Sequence, residues 1–238
     1  MEAKESIVTR VETELSRTRH PRTADIRAAG AVVYRGLDDH SVDAVLDLCE
    51  QLLNSGNEAL KTIAFDWAYR QRKHYSTETF SVFESWLFKY IHDWGDCDDY
   101  CTHAFGTLLL AYPELSHRAL SWTGHERFSV RRAAAVVFIL PIRRKQYDRE
   151  LLFKVADTLL YDEHYLVLKG YGWMLKVFSE QEPAPVIAYL RQHRDDMPRV
   201  AFRYALEKLP KDTRAELMKS SGDSRRSQAP LASTPVGE

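Results

Sequence analysis

The amino-acid sequence predicts an all-α fold of HEAT-like helical repeats stacked as a curved α-α superhelix. Three observations lead to this prediction. Apolar residues recur at helical spacing along most of the chain. Gly and Pro together make up only 19 of the 238 residues, and alternating runs of Val, Ile and Thr are scarce, which favours helices over sheets. Pairs of predicted helices recur about every 35–40 residues, near the period of HEAT-type repeats.

The helical pattern is weak near the N-terminus and strong from Val42 onward. Residues 1–20 carry one sparse apolar periodicity, which fits either a short helix or a loose arm. Beyond them we expect about nine or ten helices joined by short turns such as Ser55-Gly56-Asn57. The main helical stretches are residues 42–53, 60–68, 76–90, 108–111, 129–140, 151–161 and 165–178, a helix opened by Pro183 and Pro185, and residues 197–209.

Composition limits the domain organisation and the function class. We expect residues 1–218 to form one repeat domain and residues 219–238, rich in Ser, Arg, Pro, Gly and Ala, to be disordered. No apolar run approaches the roughly 20 residues of a membrane helix, and residues 1–10 lack the apolar stretch of a secretory signal. Three cysteines are too few for a disulfide framework. We therefore expect a cytoplasmic monomer that needs no cofactor and contacts no membrane.

The net charge of −1 gives no global support for nucleic-acid binding, so any such role must rest on local clusters of charge. The segment HDWGDCDDYCTH, residues 92–103, is one candidate. It places Trp94 and Asp98 on one helical face, together with Cys101 or Thr102, so that an indole lies beside a fixed negative charge. The alternative is a helix N-terminus at which acids offset the macrodipole and the Trp belongs to the core. We expect no metal, because CxxxC without a second pair fits zinc spacing poorly.

The segment RFSVRRAAAVVFILPIRRK, residues 127–145, is locally basic. Residues 118–154 contain nine Arg and Lys against three Asp and Glu. Arg131 and Arg132 open a nearly all-apolar helix, so one of them should need an anionic partner, either a DNA phosphate or an acid such as Asp98. The basic end of this helix fits a phosphate-facing strip or ordinary cation placement at a helix C-terminus. The candidate DNA-binding residues of the chain are Arg131, Arg143, Arg144, Lys145, Lys169, Arg199 and Arg203.

The segment LKGYGWMLKVF, residues 168–178, has two glycines inside a helical pattern. Gly170 and Gly172 each cost about 1 kcal/mol relative to Ala in a helix interior. Glycines in such positions indicate the close approach of another backbone or of a ligand, and Trp173 follows directly. The alternative is tight helix–helix packing around a core Trp.

Together, these three segments resemble the AlkD family of DNA alkylation repair enzymes over roughly residues 42–210. The stretch WGDCD, residues 94–98, is similar to the family's W-D-x-V-D-like motif. The stretch RAAAV, residues 132–136, is similar to its R-A-A/T-I/V-L-like motif. YPEL, residues 112–115, resembles H-P-E-L, and KGYGWMLK, residues 169–176, resembles K-A-I-G-W-x-L-R. Residues 1–40 show little that aligns.

The resemblance implies a DNA glycosylase that hydrolyses the N-glycosidic bond of cationic N3- or N7-alkylated purines in double-stranded DNA. It implies that Asp98 stabilises an oxocarbenium-like sugar and orients water, and that Arg132 clamps a phosphate. Trp94 and Trp173 would pack against the sugar–phosphate backbone, and the base need not be flipped into a pocket. Two alternatives remain: a non-catalytic binder of branched or damaged DNA, and a HEAT-type protein-interaction scaffold.

Overall fold

The structure is a computed structural model that describes residues 5–219, and this part of the chain is all-helical. The predicted all-α repeat fold is confirmed. The helices are α1 (Ile7–Leu15), α2 (Thr23–Arg35), α3 (Val42–Asn54), α4 (Glu58–Arg70), α5 (Thr77–Tyr90), α6 (Trp94–Tyr100), α7 (Gly106–Ala111), α8 (Ala119–Trp122), α9 (Phe128–Val136), α10 (Ile139–Arg143), α11 (Arg149–Leu159), α12 (Tyr165–Gln181), α13 (Pro183–Gln192), α14 (Arg199–Leu206) and α15 (Lys211–Met218), with a π-helical turn at Cys101–Phe105 and a 3-10 helix at Pro113–Arg118.

The repeat is visible in one layer of helices. Helices α2, α4, α6, α9, α12 and α14 follow one another in this layer, and each packs against the next. Their first residues lie 34–37 positions apart in the chain. Side chains that join successive repeats keep a similar spacing: Trp67 Nε1 donates to the Gly30 carbonyl at 3.1 Å, and the Tyr112 hydroxyl donates to the Tyr75 carbonyl at 2.7 Å. This spacing agrees with the predicted repeat period.

The other helices flank this layer and close the core. Helix α1 packs against α2 and α4, α3 packs against α4, and α11 and α13 pack against α12. For the N-terminal residues the sequence allowed a short helix or a loose arm. The structure has the short helix, α1, with Ile7 and Val11 buried. The segment predicted to be disordered, residues 219–238, lies outside the described residues except for Lys219.

The stretch 129–140, predicted as one helix, is divided in the structure. Helix α9 ends at Val136 and α10 begins at Ile139. Pro141 has no N–H to donate to the carbonyl of Val137, four residues earlier, and its ring clashes with that carbonyl. The helix is therefore interrupted between Val136 and Ile139. Residues 94–122 are divided as well, into α, π and 3-10 segments. The predicted number of helices was therefore too low.

Turn and cap signals in the sequence place several boundaries correctly. Gly56 adopts a φ of 69°, a conformation that favours glycine, in the turn between α3 and α4. Asn57 caps α4 by accepting from the backbone N–H of Ala59 at 2.9 Å. Ser76 is the N-cap of α5. Within residues 5–219, no helix has the length and apolar character required to cross a bilayer.

Candidate functional site

Helix α6 begins at Trp94, and the indole lies at the surface. Asp93 is the N-cap, and its carboxylate accepts a hydrogen bond from the backbone N–H of Asp96 at 2.9 Å. Trp94 is 55% exposed, whereas three other tryptophans are at most 1% exposed. The alternative that placed Trp94 in the core is therefore wrong. The exposed indole of Trp94 can contact a ligand.

Acids of the 93–99 cluster are held by cations from neighbouring helices. The Asp96 carboxylate lies 2.7 Å from Nζ of Lys61 on α4, and the Asp99 carboxylate lies 2.6 Å from a guanidinium nitrogen of Arg27 on α2. The cluster thus fixes α6 against two preceding helices of the layer. Asp96 and Asp99 are therefore paired within the protein.

The Lys61–Asp96 pair is buried. The Lys61 side chain is 7% exposed and that of Asp96 is 9% exposed. Burial acts to lower the pKa of Lys61, but its hydrogen bonds to Asp96 and Glu58 outweigh burial and raise that pKa. The ammonium is therefore charged at neutral pH and ties the first turn of α6 to α4.

Arg132 holds the carboxylate of Asp98 with two parallel hydrogen bonds. Nε of Arg132 lies 2.8 Å from Oδ1 of Asp98, and Nη2 lies 2.9 Å from Oδ2. The remaining nitrogen, Nη1, donates to the backbone carbonyl of Leu166. Burial acts to lower the pKa of Arg132, but the hydrogen bond and the charge of Asp98 raise it. The sequence left two anionic partners open for a buried arginine, a DNA phosphate or an acid such as Asp98. In the structure the partner of Arg132 is Asp98.

Gly170 leaves the space that Arg132 occupies. A Cβ atom on Gly170 would lie 3.1 Å from Cγ of Arg132 and 3.4 Å from its Nη1, which is tighter than ordinary contact. The glycine therefore lets α12 approach α9 closely enough for the guanidinium to reach the Leu166 carbonyl. Trp173, on the same helix, packs against the core and is only partly buried.

The four residues of the predicted catalytic set meet in one cleft. The cleft has a volume of about 380 Å³ and lies between helices of the repeat layer. The side chains that line it are Trp94, Asp98, Arg132, Leu166, Lys169, Trp173, Lys176 and Tyr204. The lining thus brings one carboxylate, two indoles and two lysines together at one surface.

Two polar residues of this cleft were not among the sequence candidates. Tyr204, on α14, lies between two lysines of α12: its ring centroid is 5.6 Å from Nζ of Lys169 and 5.4 Å from Nζ of Lys176. Lys176 ends the KGYGWMLK stretch, so its spacing from Lys169 could have placed it on the same helical face. No feature of the sequence indicates that Tyr204 reaches across from the next repeat.

Arg131 contacts protein groups. Its Nε lies 2.6 Å from a carboxylate oxygen of Asp162, and its Nη2 lies 3.2 Å from the other oxygen. Its Nη1 donates to the backbone carbonyls of His125 and Glu126 at 2.9 and 2.8 Å. All three nitrogens are engaged within the protein, which argues against the predicted DNA contact.

The other predicted DNA-binding residues divide between the cleft and separate surfaces. Lys169 lines the cleft. The exposed residues 143–145 lie at and just beyond the end of α10, and Lys145 borders a different depression beside Pro113 and Tyr147. Arg203 lines a surface near α15, and Arg199 contacts Met218 there. The structure therefore does not gather the seven cations into one strip.

Cys97 and Cys101 face the core and are fully buried. Burial raises the pKa of the Cys97 thiol well above its ordinary value, so the thiol is protonated at neutral pH. Thr102, on the exposed side of this turn, donates to the Asp98 carbonyl at 2.7 Å. Within residues 5–219, no three His, Cys, Asp or Glu side chains are grouped so that they could hold a metal ion.

Comparison with known proteins gives the family and the fold of the chain. The family model described as DNA alkylation repair enzyme matches residues 22–209. This match begins at residue 22, whereas the motifs predicted a resemblance that begins near residue 42. No curated protein matches the chain. A solved structure described as "Predicted DNA alkylation repair enzyme from Enterococcus faecalis" superposes with a TM-score of 0.67 at 15% identity, covering 89% of this chain and 98% of that one. At this identity, the likeness shows a shared fold.

Proposed function

The chain belongs to the family of DNA alkylation repair enzymes, and from this membership we propose that it is a DNA glycosylase. The proposed substrates are duplex DNAs that carry cationic N3- or N7-alkylated purines. The proposed reaction is hydrolysis of the bond between the base nitrogen and C1′ of the deoxyribose. The observation that carries this proposal is the position of Asp98, which lines an open cleft together with Trp94 and Trp173.

The chemistry suits a cleft with a single acid. When the bond to C1′ breaks, its electron pair goes to the base nitrogen, so that the alkylated base leaves neutral and needs no proton. Positive charge then develops on the sugar, and a carboxylate close to it lowers the barrier. Water adds to C1′ and releases one proton. Asp98 is the residue of the cleft that can offset this charge and orient the water.

Arg132 acts as a positioning residue for Asp98. The resemblance implied that Arg132 clamps a phosphate, but the guanidinium is 6% exposed and bound to Asp98 and Leu166. Its two hydrogen bonds fix the rotamer of the carboxylate, and they have the parallel geometry of a charge-assisted pair. Each carboxylate oxygen has two lone pairs, so the bidentate pair leaves two acceptor sites for water or for the sugar.

The two indoles supply the walls on which a cationic sugar would lie. The face of an indole attracts positive charge, and this attraction strengthens as charge moves from the base to the sugar. Trp94 is largely exposed to solvent, Trp173 packs against the core, and both line the cleft. A contact that strengthens with charge development accelerates the bond-breaking step more than it tightens ground-state binding.

Release of N7-methylguanine or N3-methyladenine from alkylated duplex DNA tests the proposal. We expect the wild-type protein to release free base and Asp98→Asn to be slower by about 100-fold or more, the scale of losing one main electrostatic contact. Asp99→Asn is the matched control, because Asp99 lies on the same helix and pairs with Arg27 outside the cleft. Equal release by the wild type and Asp98→Asn would remove Asp98 from the mechanism.

A non-excising binder of distorted DNA is the second candidate. The bidentate pair with Arg132 favours it, because the pair neutralises much of the charge that catalysis would use. This candidate predicts duplex binding by the wild-type protein without release of base from any alkylated substrate.

A further inference from the structure

Lys169 differs from Arg132 and Lys176, the other cations of the cleft, because no acid of residues 5–219 forms an ion pair with it. Arg132 is bound to Asp98, and Lys176 lies 2.8 Å from a carboxylate oxygen of Glu207. Among residues 5–219, no ion pair links Lys169 to a carboxylate, and Nζ instead lies 4.2 Å from the Tyr165 ring centroid and 5.6 Å from that of Tyr204. An unneutralised ammonium at the edge of a cleft is suited to an anionic ligand.

The wall that carries Lys169 is built from aromatic rings and basic residues of one helix face. Tyr165, Lys169, Trp173 and Lys176 are spaced three or four residues apart on α12, and neighbours at this spacing share a face. Tyr165 is 54% exposed. Rings next to cations are the combination that binds a nucleic-acid backbone, because the cation takes the phosphate and the rings take the sugar or base.

Gly172 allows α14 to complete this wall. A Cβ atom on Gly172 would lie 2.8 Å from the carbonyl oxygen of Ala201 and 2.9 Å from Cβ of Tyr204, so no other residue fits without moving α14. The close approach places the Tyr204 ring between Lys169 and Lys176. The two glycines of the segment therefore serve different parts of the cleft: Gly170 makes room for Arg132, and Gly172 makes room for Tyr204.

We infer that Lys169, held between Tyr165 and Tyr204, is the phosphate-binding residue of this cleft. Its ligand is a phosphodiester of the DNA strand, next to the nucleotide whose sugar faces Asp98. This inference rests on the proposed function for the identity of the ligand. It moves the phosphate contact from Arg132, which the resemblance implied, to a residue of the following repeat.

The salt dependence of duplex binding tests the inference. Binding of an undamaged duplex oligonucleotide is measured by fluorescence anisotropy at several salt concentrations for wild type, Lys169→Met, Lys169→Arg and Lys154→Met. One lost phosphate contact makes the negative slope of log K against log salt shallower by about 0.9. We expect this change for Lys169→Met and its recovery in Lys169→Arg. Lys154 is exposed on α11 and does not line the cleft, so Lys154→Met should keep the wild-type slope.

Tyr204→Ala distinguishes a positioning role from general stabilisation. If Tyr204 holds Lys169 in place, Tyr204→Ala weakens duplex binding, and the double variant with Lys169→Met binds no more weakly than Lys169→Met alone. An unchanged slope in Lys169→Met, or a wild-type protein whose duplex binding does not depend on salt, overturns the inference. Failure of the proposed excision is seen separately: the wild-type protein would then release no base from alkylated duplex, whereas the change of slope in Lys169→Met would remain.

Discussion

Substitution of Gly170 by Ala tests whether the packing of α12 against α9 controls the catalytic carboxylate. The added methyl group would lie 3.1 Å from Cγ of Arg132, whereas carbon atoms pack at about 3.5–4.0 Å. The arginine must therefore shift by a few tenths of an ångström. Its hydrogen bonds to Asp98, now 2.8 and 2.9 Å, would lengthen beyond the range of about 2.7–2.9 Å that charge-assisted pairs adopt.

The size of the effect follows from these contacts. A hydrogen bond to a charged group contributes about 1.5–3 kcal/mol, and the loss of roughly half of one such bond, about 0.75–1.5 kcal/mol, slows excision about fourfold to twelvefold. Stability should change little, because Ala gains about 1 kcal/mol of helix propensity over Gly and this offsets the crowding. The expected signature is therefore slower excision without a matching loss of stability.

The assay combines single-turnover excision of N7-methylguanine with urea unfolding. Gly36→Ala is the control, because a Cβ there meets nothing closer than 3.6 Å and Gly36 lies far from the cleft in the chain. A double-mutant cycle with Asp98→Asn should show no further effect of Gly170→Ala on excision. A Gly170→Ala protein with the wild-type excision rate would refute the coupling of Gly170 to Asp98 through Arg132.

Two further predictions concern the anchoring of α6. Lys61→Met leaves the Asp96 carboxylate buried without its cation and should lower the free energy of unfolding by about 3–5 kcal/mol. Lys89→Met removes the cation of an exposed pair and should cause a much smaller loss, so equal losses in urea unfolding would contradict this prediction. The hydrogen bond of His103 to Asp99 raises the pKa of His103 in the folded protein. Protonated His103 therefore stabilises the fold, fully at pH values below the pKa of His103 in the unfolded chain. This stabilisation disappears as the pH rises through the pKa of His103 in the folded protein. The loss of stability in His103→Gln relative to wild type should therefore be larger at pH 5.5 than at pH 8.5, and a loss independent of pH would show that the imidazole charge has no part in it.

Local sequence rules placed most of the fold. Periodicity and caps located α3, α4 and α11 within a few residues, because one apolar face and a terminal turn residue are local signals. The division between α9 and α10 was missed although Pro141 was visible, because the proline acts on the carbonyl four residues before it and not at its own position.

The candidate site was predictable in part. The four residues Trp94, Asp98, Arg132 and Trp173 were found from spacing and resemblance, and the structure brings them into one cleft. The assignment of partners to the adjacent arginines was not predictable. Arg131 and Arg132 point about 100° apart on their helix, and only the packing of α6 on one side decides that Arg132 meets Asp98. The contact of Tyr204 with the lysines depends on the approach of α14 and leaves no local signal.

The most direct test of the account is the single-turnover rate at which saturating protein releases N7-methylguanine from a duplex with one lesion. Saturation separates the chemical step from binding. The account predicts that Asp98→Asn lowers this rate by about 100-fold or more while its affinity for the duplex stays within about twofold of wild type. Release of the base at equal rates by the wild type and Asp98→Asn would contradict it.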